Sequence, residues 1–244
     1  MAAQRRGPVS ALLVDKLDVV FGRFRALTAL SLAVDAGEVR AVIGPNGAGK
    51  TTLLDVISGI TKPLRGRVML GDSLDLARCS EAGIAKAGVR RKFQKPSVFP
   101  ALTVYENLDI GCGAGLPASE RAARIGAVLG EIGLEPRAHA LAGALAHGEK
   151  QWLEIGMVLG SNPRIILLDE PVAGLSDAET ERTAALIRAL RRPDRAIVVI
   201  EHDMAFVEAI ADRVTVLHEG RTLYEGGMRG ARADARVIEV FLGR

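Results

Sequence analysis

Two features are scarce in this chain of 244 residues, and each shortage argues against nucleic-acid binding. Aromatic residues make up only 4% of the sequence, which argues against the long base-stacking surfaces that bind single-stranded nucleic acid. The formal net charge is only +3, and we interpret the basic residues as a solvated surface. We therefore expect no nucleic-acid partner.

Cysteines and long apolar runs are equally scarce. The two cysteines, Cys79 and Cys112, lie far apart without metal-ligand spacing, which indicates free thiols in a reducing compartment. Arg5 and Arg6 near the N-terminus are followed by no long apolar run, so a signal peptide is not expected. No stretch reaches the roughly 18 to 20 apolar residues of a membrane helix. We expect a soluble chain whose membrane role, if any, comes through a partner.

Short β-type runs alternate with helical runs, and this order predicts an α/β fold. Two continuous apolar runs, Ile165–Leu168 and Ala196–Ile200, suit parallel strands that are covered on both faces. The other predicted strands are Val9–Val14, Leu30–Val34, Glu38–Ile43, Val68–Leu70, Gly88–Phe93, Val214–Leu217 and Thr222–Tyr224. The predicted helices are Gly49–Ser58, Leu116–Gly133, Asp177–Leu190 and Ala231–Leu242.

The domain organisation follows from where the helical pattern dominates. We predict a single domain over residues 8–244, with a core formed by residues 8–94 and 151–225. A helical insertion occupies about residues 95–150, and a closing helix occupies about residues 231–242. No internal repeat or low-complexity segment interrupts this plan.

A glycine-rich segment after the third predicted strand has the pattern G-x-x-x-x-G-K-[ST] of a phosphate-binding loop. Its glycines let backbone N–H groups turn towards phosphate oxygens, and the next helix points its positive end at the same anion. Lys50 supplies a point charge for the β- and γ-phosphates, Thr51 a hydroxyl for Mg²⁺, and Thr52 a phosphate contact. The predicted loop is Gly44, Pro45, Asn46, Gly47, Ala48, Gly49, Lys50 and Thr51.

Two further signals follow predicted buried strands. Asp169 and Glu170 end the first of these, where P-loop enzymes place an acid that holds Mg²⁺. Glu170 would then polarise the attacking water as a general base. His202 comes just after the second strand and faces the nucleotide edge of a parallel sheet. A turn that is merely acidic, or a structural histidine, is the bland alternative, and the phosphate loop makes it improbable.

With these residues in order, the chain resembles the ABC-type ATPases over nearly its whole length, from about Leu12 to Gly243. The resemblance implies a P-loop NTPase (RecA-like) core with an N-terminal antiparallel β subdomain and a helical subdomain insertion. It makes Gln94 the Q-loop glutamine, a catalytic residue and metal ligand, and Phe21 an aromatic that stacks on adenine. The family signature, usually LSGGQ, is Ala146, His147, Gly148 and Glu149 after Leu145.

The resemblance also implies a mechanism with partners. Two such domains pack head to tail around two ATP molecules with Mg²⁺, and each site takes the signature loop from the other subunit. Closure on ATP drives membrane permease subunits, which contact the region Gln94–Asn107, and an extracytoplasmic binding protein delivers the solute. The chain is then a peripheral protein on the cytoplasmic face of the plasma membrane.

Some segments are similar to a particular kind of importer ATPase. Phe93–Phe99, Leu102–Leu108 and Lys150–Met157 resemble the importers of urea and branched-chain amino acids, and Asp169–Leu175 and Asp177–Thr183 are especially similar to the urea type. We therefore expect uptake of a small polar solute, urea first and branched-chain amino acids second. A different class, a soluble assembly machine such as an iron–sulfur assembly ATPase, stays open.

Two signature positions depart from the family pattern. Ala146 replaces the serine whose hydroxyl would bond the γ-phosphate across the dimer, a bond of about 1.5 to 3 kcal/mol. Its loss weakens that contact by roughly tenfold to a hundredfold. Glu149 replaces the glutamine and adds a charge, and Ser176 stands where the D-loop commonly has aspartate. We expect a slower ATPase.

Overall fold

The computed structural model describes residues 10–94, 97–113 and 115–242. Outside them lie the first residue of a predicted strand, Val9, two residues of the importer-like segment, Lys95 and Pro96, and the predicted domain ends at residues 8, 243 and 244. Within the described ranges ten strands form two sheets. The α/β prediction is confirmed.

The smaller sheet is antiparallel and has the strand order β2-β1-β4-β5. A long hairpin of two twelve-residue strands dominates it, and register shifts along β1 bend this hairpin. The strands are β1 (Ser10–Phe21), β2 (Phe24–Asp35), β4 (Arg65–Leu70) and β5 (Leu74–Asp75). This sheet is the antiparallel β subdomain that the family resemblance implies.

The larger sheet has the order β10-β9-β3-β8-β7-β6, and its strands are parallel except for the edge strand β10. Its strands are β3 (Val39–Ile43), β6 (Val89–Lys92), β7 (Ile165–Asp169), β8 (Ala196–Ile200), β9 (Arg213–His218) and β10 (Arg221–Gly226). Because β3, β6, β7 and β8 run the same way, their carboxyl ends meet at one edge. The segments that begin at residues 44, 93, 170 and 201 therefore leave the sheet at the same edge.

Nine α-helices occur in the described part of the chain. They are α1 (Lys50–Ser58), α2 (Glu81–Lys86), α3 (Val104–Cys112), α4 (Ala118–Ile132), α5 (His147–Gly160), α6 (Asp177–Ala189), α7 (Met204–Ile210), α8 (Met228–Ala233) and α9 (Ala235–Leu242). The predicted division at residue 150 falls inside α5. We propose that the helical part continues to the end of that helix at Gly160.

Residues of β7 alternate between two hydrophobic clusters, as expected for a strand buried on both faces. Ile166 and Leu168 pack with α3, α4, α5 and α6, whereas Ile165 and Leu167 pack with α1 and the small sheet. All five residues of this strand are buried. The apolar run that predicted a covered parallel strand is thus explained by two separate layers of packing.

Helices α3 and α5 approach each other through glycines. A Cβ added to Gly111 would lie 2.7 Å from the Met157 Cα, and one added to Gly160 would lie 2.7 Å from the Gly111 carbonyl carbon. One added to Gly156 would lie 2.9 Å from a Leu108 methyl. The two helices are therefore in backbone contact, with no room for a larger residue at these positions.

The predicted C-terminal helix Ala231–Leu242 is wrong as a single element. The structure has two short helices, α8 and α9, which meet at Asp234 in an extended conformation. The Asp234 carboxylate accepts hydrogen bonds from the backbone N–H (2.9 Å) and the guanidinium of Arg236. These bonds hold the pKa of Asp234 at about 2 and start a new helix with its own cap. An apolar pattern with a period of 3.6 cannot reveal such a break.

Candidate functional site

The glycine-rich loop between β3 and α1 uses two of its glycines for close packing. Gly44 has φ 150°, and a Cβ there would collide with the Leu217 carbonyl oxygen. Gly49 has φ 99°, and a Cβ there would lie 2.6 Å from the Leu27 side chain. Gly47 has φ 79° with open space around it, so it is needed for its backbone conformation alone.

Lys50 is the first residue of α1, and its ammonium group lies inside the loop. Its Nζ donates to the carbonyl oxygens of Gly44 at 2.7 Å and Pro45 at 2.9 Å. Burial lowers the pKa of Lys50, and the nearby charges of Glu170 and Asp169 oppose this effect. Thr51, next on the helix, is exposed. The loop therefore presents a cation and the positive end of a helix in one place.

Asp169 and Glu170 occupy the carboxyl end of β7 in two different environments. Asp169 is buried, and its Oδ2 accepts a hydrogen bond from Arg91 Nη2 at 2.7 Å. Glu170 has a left-handed backbone, with φ 46°, and its N–H donates to the Ile200 carbonyl of β8 at 3.0 Å. This backbone conformation is uncommon for a residue other than glycine, and such positions cluster at functional sites.

Gln94 and His202 flank the Glu170 carboxylate. Gln94 Nε2 donates to Glu170 Oε2 at 2.6 Å, and His202 Nδ1 lies 4.0 Å from Glu170 Oε1. Glu201 was not predicted as a site residue, and its side chain is fully buried. It accepts hydrogen bonds from the backbone N–H groups of Val172 and His202, both at 3.1 Å, and burial raises its pKa. Glu201 therefore holds the backbone of His202 against the segment after β7.

Gln94, Glu170 and His202 line one cleft of about 490 Å³ together with part of the loop, whereas Lys50, Thr51 and Asp169 are not among its lining residues. It is lined by Gly44, Pro45, Asn46, Gln94, Glu170, His202, Val240 and Phe241. Val240 and Phe241 belong to α9 and were not predicted at the site. The amphipathic pattern of that helix was a visible signal, but pattern alone does not say which surface an apolar face covers.

The structure does not bring all of the predicted residues to this cleft. Phe21 is half exposed at the end of β1, where it pairs with Phe24, and it is absent from the cleft lining. The signature residues Ala146, His147, Gly148 and Glu149 also lie outside the lining, at the start of α5. His147 Nε2 contacts the Ala173 carbonyl at 3.2 Å, which ties α5 to the segment after β7.

Glu149 has a definite role in the helix start. Its Oε2 accepts a hydrogen bond from the Ala146 N–H at 2.9 Å, and Arg137 Nε lies 3.4 Å from its Oε1. The reciprocal half of this capping box is missing, because Ala146 has no side-chain oxygen for the Glu149 N–H. Both halves are present at Thr103 with Glu106 and at Ser176 with Glu179 in the same chain. The acid at the signature is thus used as a cap.

Replacing Ala146 with Ser should complete this cap. We expect the free energy of unfolding to rise by about 1 kcal/mol, the usual value of a serine N-cap over alanine. If Ala146 also faces a phosphate across a dimer, the added hydroxyl should tighten ATP-driven association about tenfold or more. Urea unfolding and ATP titration of dimer formation measure the two effects.

Ala144→Ser is the matched control, since Ala144 is exposed two residues before the cap. It should change neither quantity. Equal behaviour of the two variants would contradict the capping interpretation.

The donor set fits a nucleoside triphosphate with Mg²⁺. Among the described residues no three His, Cys, Asp or Glu side chains cluster as a protein-only metal site. Mg²⁺ is commonly held by one or two carboxylates together with substrate phosphates, so Asp169 with the Thr51 hydroxyl matches that chemistry. The predicted third metal ligand, Gln94, is bonded to Glu170 in this structure. The loop Gly44–Lys50 adds the Lys50 ammonium and the N-terminal end of α1, both of which suit phosphate oxygens.

This combination of a phosphate loop, strand-end acids and one parallel sheet edge defines a P-loop nucleoside triphosphatase. A family model described as ABC transporter matches residues 27–173 of the chain. The chain belongs to this family and is an ATP-hydrolysing cassette.

Curated relatives differ in how much of them the chain covers. It is 37% identical to the high-affinity branched-chain amino acid transport ATP-binding protein BraF of Pseudomonas aeruginosa, over 95% of this chain and 97% of that protein. It is 40% identical to the arabinose import ATP-binding protein AraG 2 of Burkholderia thailandensis over 88% of this chain. The chain spans only 41% of that second relative.

Solved structures agree with the fold. A crystal structure of MJ1267, an ATP-binding cassette of an ABC transporter in its ADP conformation, matches with a TM-score of 0.87 at 30% identity. The match covers 96% of this chain and 99% of that one. A nucleotide-free cassette from an ABC transporter matches with a TM-score of 0.85 at 28% identity.

No helix in the described ranges is long and apolar enough to cross a membrane.

Proposed function

We propose that this ATPase powers an importer of a small polar solute, with urea as the first candidate. The observation that carries the importer class is the near end-to-end similarity to the importer ATPase BraF. Urea rests on the resemblance of segments Asp169–Leu175 and Asp177–Thr183 to the urea type. Branched-chain amino acids are the second candidate, because BraF and the relative LivG of Escherichia coli are both described as high-affinity branched-chain amino acid transport ATP-binding proteins.

The geometry of the cleft supports general-base hydrolysis by Glu170. Its carboxylate is fixed by Gln94 on one oxygen and approached by His202 on the other, so it is held in one orientation. In this proposal Glu170 takes a proton from the attacking water, and His202 and Gln94 position that water. Lys50 and the loop N–H groups hold the phosphates, with Thr52 as a further contact, and Mg²⁺ supplies charge neutralisation there. Asp169, Thr51 and Gln94 are the proposed metal ligands.

The site of one chain is incomplete by this reading. Residues 146–149 lie outside the lining of their own chain's cleft and begin helix α5, whose positive N-terminal end suits a phosphate. We propose that they complete the cleft of a second ATPase subunit, identical or paralogous. Phe21, half exposed at the end of β1, is proposed to stack on the adenine.

A groove between β6 with the segment that follows it and the helical part is the proposed permease contact. Its volume is about 290 Å³, and its apolar lining includes Phe93, Ile110, Met157 and Val158. Phe93 and Ile110 are both exposed large apolar side chains, and both line this groove. Contact with a permease here places the chain on the cytoplasmic face of the membrane, with an extracytoplasmic binding protein as a further partner.

The variant Ile110→Asp tests the groove. A charge in an apolar contact costs several kcal/mol, so we expect permease binding to fall at least tenfold while basal ATP hydrolysis stays within twofold. Leu64→Asp is the control, since Leu64 is exposed but lies outside the groove lining. Co-purification with the permease measures binding. Equal loss in both variants would contradict a docking role for the groove.

A soluble assembly ATPase, the alternative of a different class, predicts a soluble scaffold as the partner. Capture of the native complex on a tagged chain, followed by identification of its subunits, separates the classes. The partner permease leads to its binding protein, whose heat of binding is then measured with urea and with leucine. Urea binding supports our first candidate. Leucine binding without urea binding overturns it, and a soluble partner without a permease overturns the importer.

A further inference from the structure

Arg91 is a buried arginine that joins three parts of the nucleotide site. It lies on β6, three residues before Gln94, and only 4% of its side chain is exposed. Its Nη1 donates to Asp55 Oδ1 at 2.6 Å, and its Nη2 donates to Asp169 Oδ2 at 2.7 Å. Asp55 belongs to α1, one turn after Thr51. A single guanidinium therefore links the phosphate-loop helix, the end of β7 and the strand that leads to Gln94.

The pairing fixes how the Asp169 carboxylate can be used. The bond to Arg91 engages Oδ2, which leaves Oδ1 as the oxygen available to a cation. A guanidinium is planar and permanently charged, so it holds a carboxylate in a defined orientation that a lysine ammonium does not. One guanidinium shared between two carboxylates leaves the trio with a net charge of −1. The trio therefore still attracts a divalent cation.

This arrangement is retained at a cost. The Nε of Arg91 is buried without a hydrogen-bond partner among the described residues. Leaving a buried donor unpaired is unfavourable, and such groups in folded proteins call for an explanation. A purely structural ion pair could use a residue that leaves no donor unpaired. The fork geometry, aimed at Asp55 and Asp169 together, explains why an arginine stands here.

We propose that Arg91 is a positioning residue for the metal site: it orients the Asp169 carboxylate for the Mg²⁺ that accompanies ATP. The inference rests on the proposed metal role of Asp169. Outer hydrogen-bond partners of metal ligands typically change metal affinity by 10- to 100-fold when they are removed. Arg91 also lies 4.7 Å from the centre of the Phe93 ring, so the metal carboxylate and the proposed permease groove are connected through one side chain.

The test measures metal binding without turnover. The full chain with saturating ADP is titrated with Mn²⁺, and free Mn²⁺ is followed by its electron paramagnetic resonance signal. Arg91→Lys and Arg91→Gln should each weaken Mn²⁺ binding about 10- to 100-fold. ADP affinity in the presence of EDTA should stay within twofold, which a general loss of structure would not allow.

Two further variants make the outcome specific. Arg90→Lys is the matched control, because Arg90 is on the same strand and bonds Ser161 Oγ at 2.8 Å instead of a carboxylate. It should leave Mn²⁺ binding unchanged. Asp169→Asn should weaken Mn²⁺ binding, and its failure to do so would overturn the proposed metal ligand itself. Loss with Asp169→Asn but normal binding by whichever Arg91 variant folds would overturn our inference alone.

Discussion

The Glu170→Gln variant should hydrolyse ATP about 100- to 10,000-fold more slowly than the wild-type chain, the usual contribution of a general base. The amide keeps the size of the side chain and can still accept a hydrogen bond from Gln94 Nε2, but it cannot take a proton from water. Because the loop of Gly44–Lys50 is untouched, ATP binding should stay within about threefold. Phosphate release measures turnover, and a fluorescent ATP analogue measures binding.

Glu181→Gln is the control for this experiment, since Glu181 is an exposed acid on α6. It should hydrolyse ATP at the wild-type rate. Residual turnover above one tenth of wild type in Glu170→Gln would assign the base to another group. A parallel loss of ATP binding would show that the substitution damages the phosphate loop, in which case the lower rate says nothing about proton transfer.

The Arg40→Met variant should lose about 3 to 5 kcal/mol of unfolding free energy. Arg40 is fully buried on β3, and its Nε bonds Glu38 Oε1 at 2.6 Å. Its Nη1 bonds Thr215 and Glu225, at 3.1 and 3.0 Å, and its Nη2 bonds the Ala33 carbonyl at 2.8 Å. Methionine fills similar space but leaves the buried Glu38 carboxylate without its cation. Urea denaturation followed by circular dichroism measures the change.

Arg67→Met provides the comparison at the surface. Arg67 is about two-thirds exposed and pairs with Asp15 at 3.3 Å. Exposed ion pairs contribute at most about 1 kcal/mol, so this variant should unfold close to the wild-type midpoint. A small effect for Arg40→Met would mean that the hydrogen bond Glu38 already accepts from the Asp35 N–H, at 2.8 Å, is enough to stabilise its carboxylate.

The sequence was sufficient for the features that depend on short segments. The phosphate-binding loop from Gly44 to Thr51 and the apolar strand before Asp169 can each be recognised from a few neighbouring residues. The same holds for His202, which directly follows a predicted strand. Strands β7 and β8 were predicted within one residue, because four and five apolar residues in a row leave few alternatives. The expected position of His202 at the nucleotide edge of the sheet followed from the rule that the carboxyl ends of parallel strands meet at one edge.

Features that depend on contacts between residues far apart in the chain could not be predicted from the sequence. The first hairpin is longer than the predicted Val9–Val14 and Leu30–Val34, because mixed polar residues at its end continue the ladder only through a partner strand. In the sequence Arg91 and Glu201 look like ordinary charged residues. In the structure Arg91 pairs with carboxylates that lie 36 and 78 residues away in the chain, and Glu201 accepts hydrogen bonds from backbone N–H groups. The role of Glu149 as a helix cap was not predicted either, because it depends on a hydrogen bond from the Ala146 N–H that only the structure shows.

The glycine contact between α3 and α5 has a mechanical consequence. Gly111 and Gly160 bring the two helices into backbone contact, and Gly156 leaves room for the Leu108 side chain, so the helices are packed without space between them. Helix α5, with 14 residues, is about 21 Å long and runs from this contact to residues 146–149. We therefore expect a displacement of α3 at Ile110 to move α5 with it, and to shift the residues at the far end of α5. There, in our proposal, these residues meet the ATP bound by the neighbouring subunit.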